Sequence, residues 1–269
     1  MKAFRHPIVT LLTDFGTKDP YVASMKGVIL GINPRCQVVD ITHQIAPQDV
    51  VEGAFVLSNA FSYFPEGTVH VAVVDPEVGG KRHPVLIVTE RYFFVGPDNG
   101  LFGFVLRKER MKEAYILTEK RFFLPRVSST FHGRDIFSPV AGHLTLGVPP
   151  KAFGREAHSL KDLGFPVPQQ RGRTLTGEVI HVDRFGNLIT NIDRATLLDF
   201  SGGGPIRLSV SKRKIEGIRT SYWEGKKGEL MALFGSSDLL EIAVREGSAQ
   251  ERLKGRRGDP VRIVPVGQR

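Results

Sequence analysis

Residues 69–82 read VHVAVVDPEVGGKR, and the fold turns on how they are understood. Val69, Val71, Val73 and Val74 make a short β-branched run, the pattern of a strand packed inside a core. Asp75-Pro76 ends that run, because Pro76 has no N–H for the sheet ladder. Gly79-Gly80 then lets the backbone turn sharply, and Arg82 follows. An acid at the carboxyl end of a core strand, trailed by a glycine-rich loop and a cation, is how open α/β sheets build binding sites. The same residues also suit a plain strand-to-loop corner with a capping acid and a surface arginine.

Working back from this stretch, residues 8–12 are an apolar strand and residues 37–41 a second strand. Between them Asp19-Pro20 reads as an N-cap with proline at the first helical position, and Val22, Met25, Ile29 and Ile32 recur at helical spacing. Asp49 caps a second helix carrying Val50, Ala54, Leu57 and Phe61. This β-α-β-α-β order implies parallel pairing with helical crossovers. Working forward, residues 85–89 and 92–95 read as strands around a Glu90-Arg91 turn. Residues 96–100, GPDNG, are a dense turn signal, and 101–106 begin a short helix. Residues 114–117 are a strand candidate, and 136–146 a helix despite Pro139.

The texture changes after a linker at 166–173. Six short strand candidates follow, at 175–182, 188–192, 206–210, 230–234, 239–244 and 260–264, separated by glycine-rich turns. The expectation is an N-terminal α/β domain with a mostly parallel central sheet, residues 1–168, and a smaller C-terminal β-barrel-like domain, residues 169–269.

Composition narrows the function classes. With 37 Lys+Arg against 28 Asp+Glu the formal charge is +9. The basic residues are spread, without an aromatic-interleaved stripe, so we read a solvated basic surface and no nucleic-acid partner. A single cysteine, Cys36, leaves no internal disulfide framework or cysteine-rich metal site and fits a reducing cytoplasm. The N-terminal MKAFRHPIVTLL is too short an apolar run for a signal-peptide core or a membrane span.

The chemistry-bearing residues cluster at strand ends. Asp14 and Asp75 follow the first and third strands, where a carboxylate's two oxygens match the two hydroxyls of a ribose. Asp14 serves equally as a turn-forming side chain. His132, Asp135 and His143 have no diagnostic ligand spacing. A capping Asp135 and a surface His143 are the simpler readings, while His132, followed by glycine, stands apart. Phosphate-loop, dinucleotide and serine-nucleophile signatures are all absent.

Seven stretches together resemble one family: LTDFG at 12–16, DITH at 40–43, residues 75–82, VGPDNG at 95–100, TFHGRD at 130–135, DRFGN at 183–187, and Ser236-Ser237. The set is similar to the S-adenosyl-L-methionine (SAM) hydroxide adenosyltransferases, relatives of the SAM-dependent fluorinases and chlorinases. The resemblance implies hydrolysis of SAM to adenosine and L-methionine, with SAM as substrate, water as nucleophile and no cofactor or metal. It also implies a homotrimer with sites at subunit interfaces. The family's catalytic positions fall on Asp75, Arg82 and His132, and its ribose-binding acid on Asp14. Its other substrate contacts fall on Phe131, Asp183, Phe185, Asn187, Tyr222 and Ser236, with the adenine edge near Val244 and Glu246. One departure stands out: Glu77 replaces a glycine of the family pattern, so a positive φ there would strain the loop. A tyrosine in place of Asp75 and the absence of His132 would mark the halogenases, so the expected nucleophile is water rather than halide. If Glu77 disables the loop, the same residues would make a SAM- or adenosine-binding protein without turnover.

Overall fold

The computed structural model describes residues 7–164 and 166–266. Residues 1–6, half of the stretch read as too short for a leader, lie outside that range. The chain divides into two compact units, the first ending at Gly164.

In the first unit the strands are β1 (Ile8–Thr13), β2 (Gln37–Thr42), β3 (Val69–Val73), β4 (Pro84–Thr89), β5 (Phe93–Pro97), β6 (Met111–Leu117) and β7 (Gly154–Glu156). The helices are α1 (Tyr21–Ile32), α2 (Val50–Ala60), α3 (Gly103–Leu106) and α4 (Ser138–Thr145). The strands form one sheet in the order β2-β1-β3-β5-β4-β6-β7. Pairing is parallel from β2 through β1 and β3 to β5, as the helical crossovers require, and antiparallel from there outward. The change of direction comes from the β4–β5 hairpin, where the Thr89 N–H donates to the Tyr92 carbonyl at 3.0 Å. The sheet is therefore mixed, with its parallel half at the start of the chain. The β3 stretch is buried along its whole length, as its valines demand.

Local signals explain where elements differ from expectation. Asp49 caps α2 by accepting the Glu52 N–H at 3.0 Å. Asp19 does not cap α1; Pro20 holds the cap position without a side-chain bond. Residues 100–103 make a turn, so α3 starts at Gly103 rather than Leu101. The helix read from Ile136 opens instead as a π-helical turn, Gly133–Phe137, that runs into α4. Pro139 is tolerated in α4 because a first-turn residue needs no N–H partner. Asp135 is no cap: it is fully buried and accepts the Ser128 N–H at 2.7 Å and the Arg134 Nε–H at 2.6 Å. His143 is partly buried, its ring 5.2 Å from that of Phe122.

The second unit is antiparallel. Its strands are β8 (Gln169–Arg171), β9 (Thr174–Val182), β10 (Leu188–Asp193), β11 (Ile206–Val210), β12 (Arg213–Glu216), β13 (Leu230–Phe234), β14 (Leu239–Val244) and β15 (Pro260–Pro265), with helices α5 (Arg194–Ser201) and α6 (Ala249–Leu253). They form one sheet ordered β12-β11-β15-β9-β10-β14-β13, with β8 on β9. Just past β12 the Arg219 N–H donates to the Ala232 carbonyl of β13 at 2.8 Å, drawing the two ends together into a nearly closed barrel. Residues 169–171, read as linker, pair as strand β8; their polar side chains are exposed on both faces and hide the strand pattern.

One buried titratable group gives the first unit a pH signature. His70 on β3 is fully buried, bonded through Nδ1 to Thr10 Oγ1 at 2.7 Å and stacked on Phe94 at 5.1 Å. Burial pushes its pKa down to about 3. The folded pKa lies below the ordinary value of about 6.5, so the native state binds protons less well than the unfolded chain. Stability should be complete above about pH 6.5 and fall towards pH 3, by up to about 1.4 kcal/mol per pH unit. Denaturant titrations at pH 7 and pH 5 should show a loss about 2 kcal/mol smaller for His70→Phe than for the natural protein.

Candidate active site

The parallel strands of the first unit deliver acids to their carboxyl ends. Asp75 follows β3 directly, and Asn99 fixes the strand end by donating its side-chain N–H to the Val74 carbonyl at 2.8 Å. Arg82 returns from the loop to grip Asp75 in a fork: Nε–H to Oδ1 at 3.1 Å and Nη2–H to Oδ2. Both side chains are almost entirely buried, at 2% and 4% exposure. The same Nη2 lies 2.7 Å from His132 Nδ1, and the guanidinium sits 5.5 Å from the centre of the Phe137 ring.

Backbone chemistry explains this assembly. Gly79 has φ 76°, and a Cβ there would lie 2.2 Å from the Ser129 carbonyl oxygen. Only glycine allows the 75–82 loop to lie against the 128–132 loop that carries His132. Glu77 is not in the left-handed region, so the strain expected from the missing glycine does not arise. Its side chain points outward to Lys161 at 3.2 Å. The π-helical turn, a geometry common at functional sites, sets His132 at its start, with Ser138 Oγ–H closing on the Gly133 carbonyl at 2.8 Å.

The hydrogen bond from Arg82 also fixes the histidine's tautomer. A guanidinium only donates, so His132 Nδ1 must accept and the ring proton of neutral His132 resides on Nε2. Burial, then the Arg82 charge, lowers the His132 pKa from its usual value, with Asp75 and Asp135 opposing. Nearby, Phe131 packs edge-on against Phe15 at 5.7 Å and Tyr21 at 5.2 Å, while Arg134 lies 4.9 Å from its ring centre. Tyr21 carries no motif and was not legible as part of this cluster. Asp14 accepts the Gln48 N–H at 2.8 Å, from a Gln48 held at φ 67°. A non-glycine residue so placed at a carboxylate is local strain of the kind found at ligand clamps.

The second unit holds a cleft of about 730 Å³. The turn between β9 and β10 supplies Asp183, Phe185 and Asn187; the strand ends supply Ser236, Val244 and Glu246, and Tyr222 lies on its wall. Asp183 is already engaged by its own turn, accepting the Phe185 N–H at 2.9 Å and the Asn187 N–H and Nδ2–H at 2.8 Å. Glu246 adopts φ 53° at the cleft's edge and pairs with Lys227 at 3.1 Å. Glu241, also lining the cleft, was missed: on β14 it reads as an alternating strand residue, yet only 6% of it is exposed.

An α/β unit with a buried acid–arginine pair bonded to a half-buried histidine, followed by a barrel-like unit whose cleft carries several carboxylates, defines the class. Residues 9–154 match the SAM hydroxide adenosyltransferase N-terminal domain and residues 177–262 the C-terminal domain of the same family, and the protein belongs to that family. The chain is similar to a Thermus thermophilus protein named (R)-S-adenosyl-L-methionine hydrolase, 40% identical over 266 residues, spanning 95% of this chain and 99% of the relative. A fluorinase of an Actinoplanes species is 30% identical over 224 residues, 73% of this chain and 75% of the fluorinase. A solved Thermotoga maritima protein shares the fold at a TM-score of 0.89 and 35% identity, over 95% of this chain and 99% of that one.

The electrostatics of His132 can be read directly. Its imidazole should titrate below the ordinary histidine value of about 6.5 in a proton-detected NMR series. Asp75→Asn should move it lower still, because the negative charge that opposes the shift is removed. An upward movement would contradict the arrangement described.

Proposed function

We propose that the protein hydrolyses SAM to adenosine and L-methionine by in-line attack of water at ribose C5′. The observation that carries this reading is the buried Asp75–Arg82 pair bonded to the half-buried His132 in a member of this family. Methionine leaves as a neutral thioether, so departure needs no acid and the difficulty rests with the nucleophile. Water must be oriented and relieved of a proton, which a positioned base assists by about 10²–10⁴-fold.

The two candidate bases divide the work by their hydrogen bonds. His132 spends its one acceptor nitrogen on Arg82, so towards water it offers an N–H. Asp75 retains lone pairs beyond the Arg82 fork and accepts from water. Asp75 is therefore the proton acceptor, His132 a donor to the attacking oxygen, and Arg82 the clamp that holds both. Asp14 takes the ribose hydroxyls beside the Phe131 ring. In the second unit Asp183, Asn187 and Ser236 contact the methionine part. Tyr222 and Phe185 face the adenine, with Val244 and Glu246 along its edge. The relative's name specifies the R configuration at sulfur, and the same epimer is proposed here. We extend the reading to a cytoplasmic homotrimer without a cofactor. Phe185, 77% exposed at the cleft, supports a neighbouring copy there, and light scattering in solution tests the trimer.

With each sulfonium epimer offered separately in ¹⁸O-enriched water, the R epimer should turn over and put the label on the adenosine 5′-oxygen, and the S epimer should be left largely intact. Added chloride or fluoride should give no 5′-halogenated nucleoside, since a fixed carboxylate repels an anion. Asp75→Asn should lower kcat by about 10²-fold or more. Recovery of a halonucleoside as main product would transfer the assignment to the halogenases.

Asp14→Ala should weaken SAM and adenosine together, by about 1–3 kcal/mol in calorimetry, because a buried ribose hydroxyl loses its partner.

A further inference from the structure

We infer that Glu241 selects the positively charged ligand: its buried carboxylate, seated by Tyr222 against the Gly235 backbone, gives the cleft of the second unit an excess of negative charge. The inference rests on the proposed reading of that cleft as part of the SAM site and names the property of SAM that it recognises.

Three observations converge. First, Tyr222 donates its hydroxyl to Glu241 Oε2 at 2.8 Å, the neutral donor that holds the carboxylate in place. No cation lies within ion-pair distance of Glu241 among the described residues. Secondly, a Cβ on Gly235 would lie 1.6 Å from Glu241 Oε1, so the chain keeps a bare backbone there to admit the carboxylate. Thirdly, the charged lining consists of Asp183, Glu241 and Glu246 against Arg245 alone. The Arg245 guanidinium is spent elsewhere: it donates to the Trp223 carbonyl at 3.1 Å and the Gly225 carbonyl at 2.6 Å, and stacks 4.3 Å from the Trp223 ring. Glu246 pairs with Lys227 at 3.1 Å and, more loosely, with Arg245 at 3.8 Å. Asp183 and Glu241 remain as uncompensated carboxylates, and burial followed by the Asp183 charge raises the Glu241 pKa. A carboxylate kept inside a protein without a cation is stabilised by one that arrives with the ligand.

The chemistry of the ligand supplies that cation. SAM carries an ammonium and a sulfonium against one carboxylate, whereas adenosine is neutral and S-adenosylhomocysteine lacks the sulfonium charge. Attack at C5′ extinguishes the sulfonium charge, so a fixed negative group favours the bound substrate at least as much as the transition state. Glu241 therefore contributes to affinity without accelerating the chemical step, and it favours release of the less positive products.

The test compares the natural protein with Glu241→Gln, which keeps shape and can still accept from Tyr222. Calorimetry with SAM, S-adenosylhomocysteine and adenosine is paired with steady-state hydrolysis. We expect SAM to bind about tenfold more weakly in the variant, with KM raised and kcat not lowered. Adenosine affinity should stay within about twofold. An equal loss for SAM and adenosine would reduce Glu241 to a prop for Tyr222 and overturn the inference, as would unchanged SAM affinity. If the glutamine variant does not fold, Gly235→Ala, which drives the carboxylate from its seat, should give the same ordering of ligands. A natural protein that binds neither SAM nor adenosine would instead overturn the reading of the cleft itself.

Discussion

A carboxylate and a guanidinium buried side by side are stable only while both remain, because removing either leaves an uncompensated charge at a cost of about 3–5 kcal/mol. Asp75 and Arg82 impose that condition on the first unit. The acid is delivered by a strand buried along its length, and the base must come back to it within one short loop. Gly79 makes the return possible by letting the loop lie on the Ser129 carbonyl. Phe137 gives the guanidinium a ring to rest on, and it belongs to the same π-helical turn that sets His132. The histidine is thus placed by the demands of the ion pair as much as by its own.

The two units differ in their electrostatics. In the first, acid and base are matched and the histidine is held neutral by burial and the adjacent arginine. In the second, the cleft keeps two carboxylates, Asp183 and Glu241, without a cation at ion-pair distance among the described residues. A matched network suits orientation of a small polar nucleophile, and an unmatched cleft suits attraction of a charged ligand.

Much of this was legible from residue order. The β-branched run and Asp75-Pro76 marked the strand and the acid at its end, and helical spacing marked the parallel half of the sheet. What escaped did so for identifiable reasons. The antiparallel half depends on a hairpin whose outer strand pairs with β6, a long-range choice that local pattern does not encode. Strand β8 is polar on both faces and owes its existence to β9. Asp135 looks like a cap in sequence, but its burial is decided by the Ser128 loop folding over it. Tyr21 and Glu241 carry no motif; one joins an aromatic cluster only in space, and the other is buried by a glycine six residues earlier in the chain. Glu77 was the reverse case, a departure from pattern without structural effect, since the positive φ falls on Gly79 instead.

That glycine and that acid also constrain how the family can diverge. The volume a side chain would occupy at position 235 is taken by the carboxylate of position 241. The two sites do not drift independently: a side chain gained at 235 displaces the carboxylate of 241 from its seat, and with it the charge held at that point of the cleft. Shape and charge are inherited here as a single character, so a change of ligand preference in this barrel should leave its trace at both positions at once.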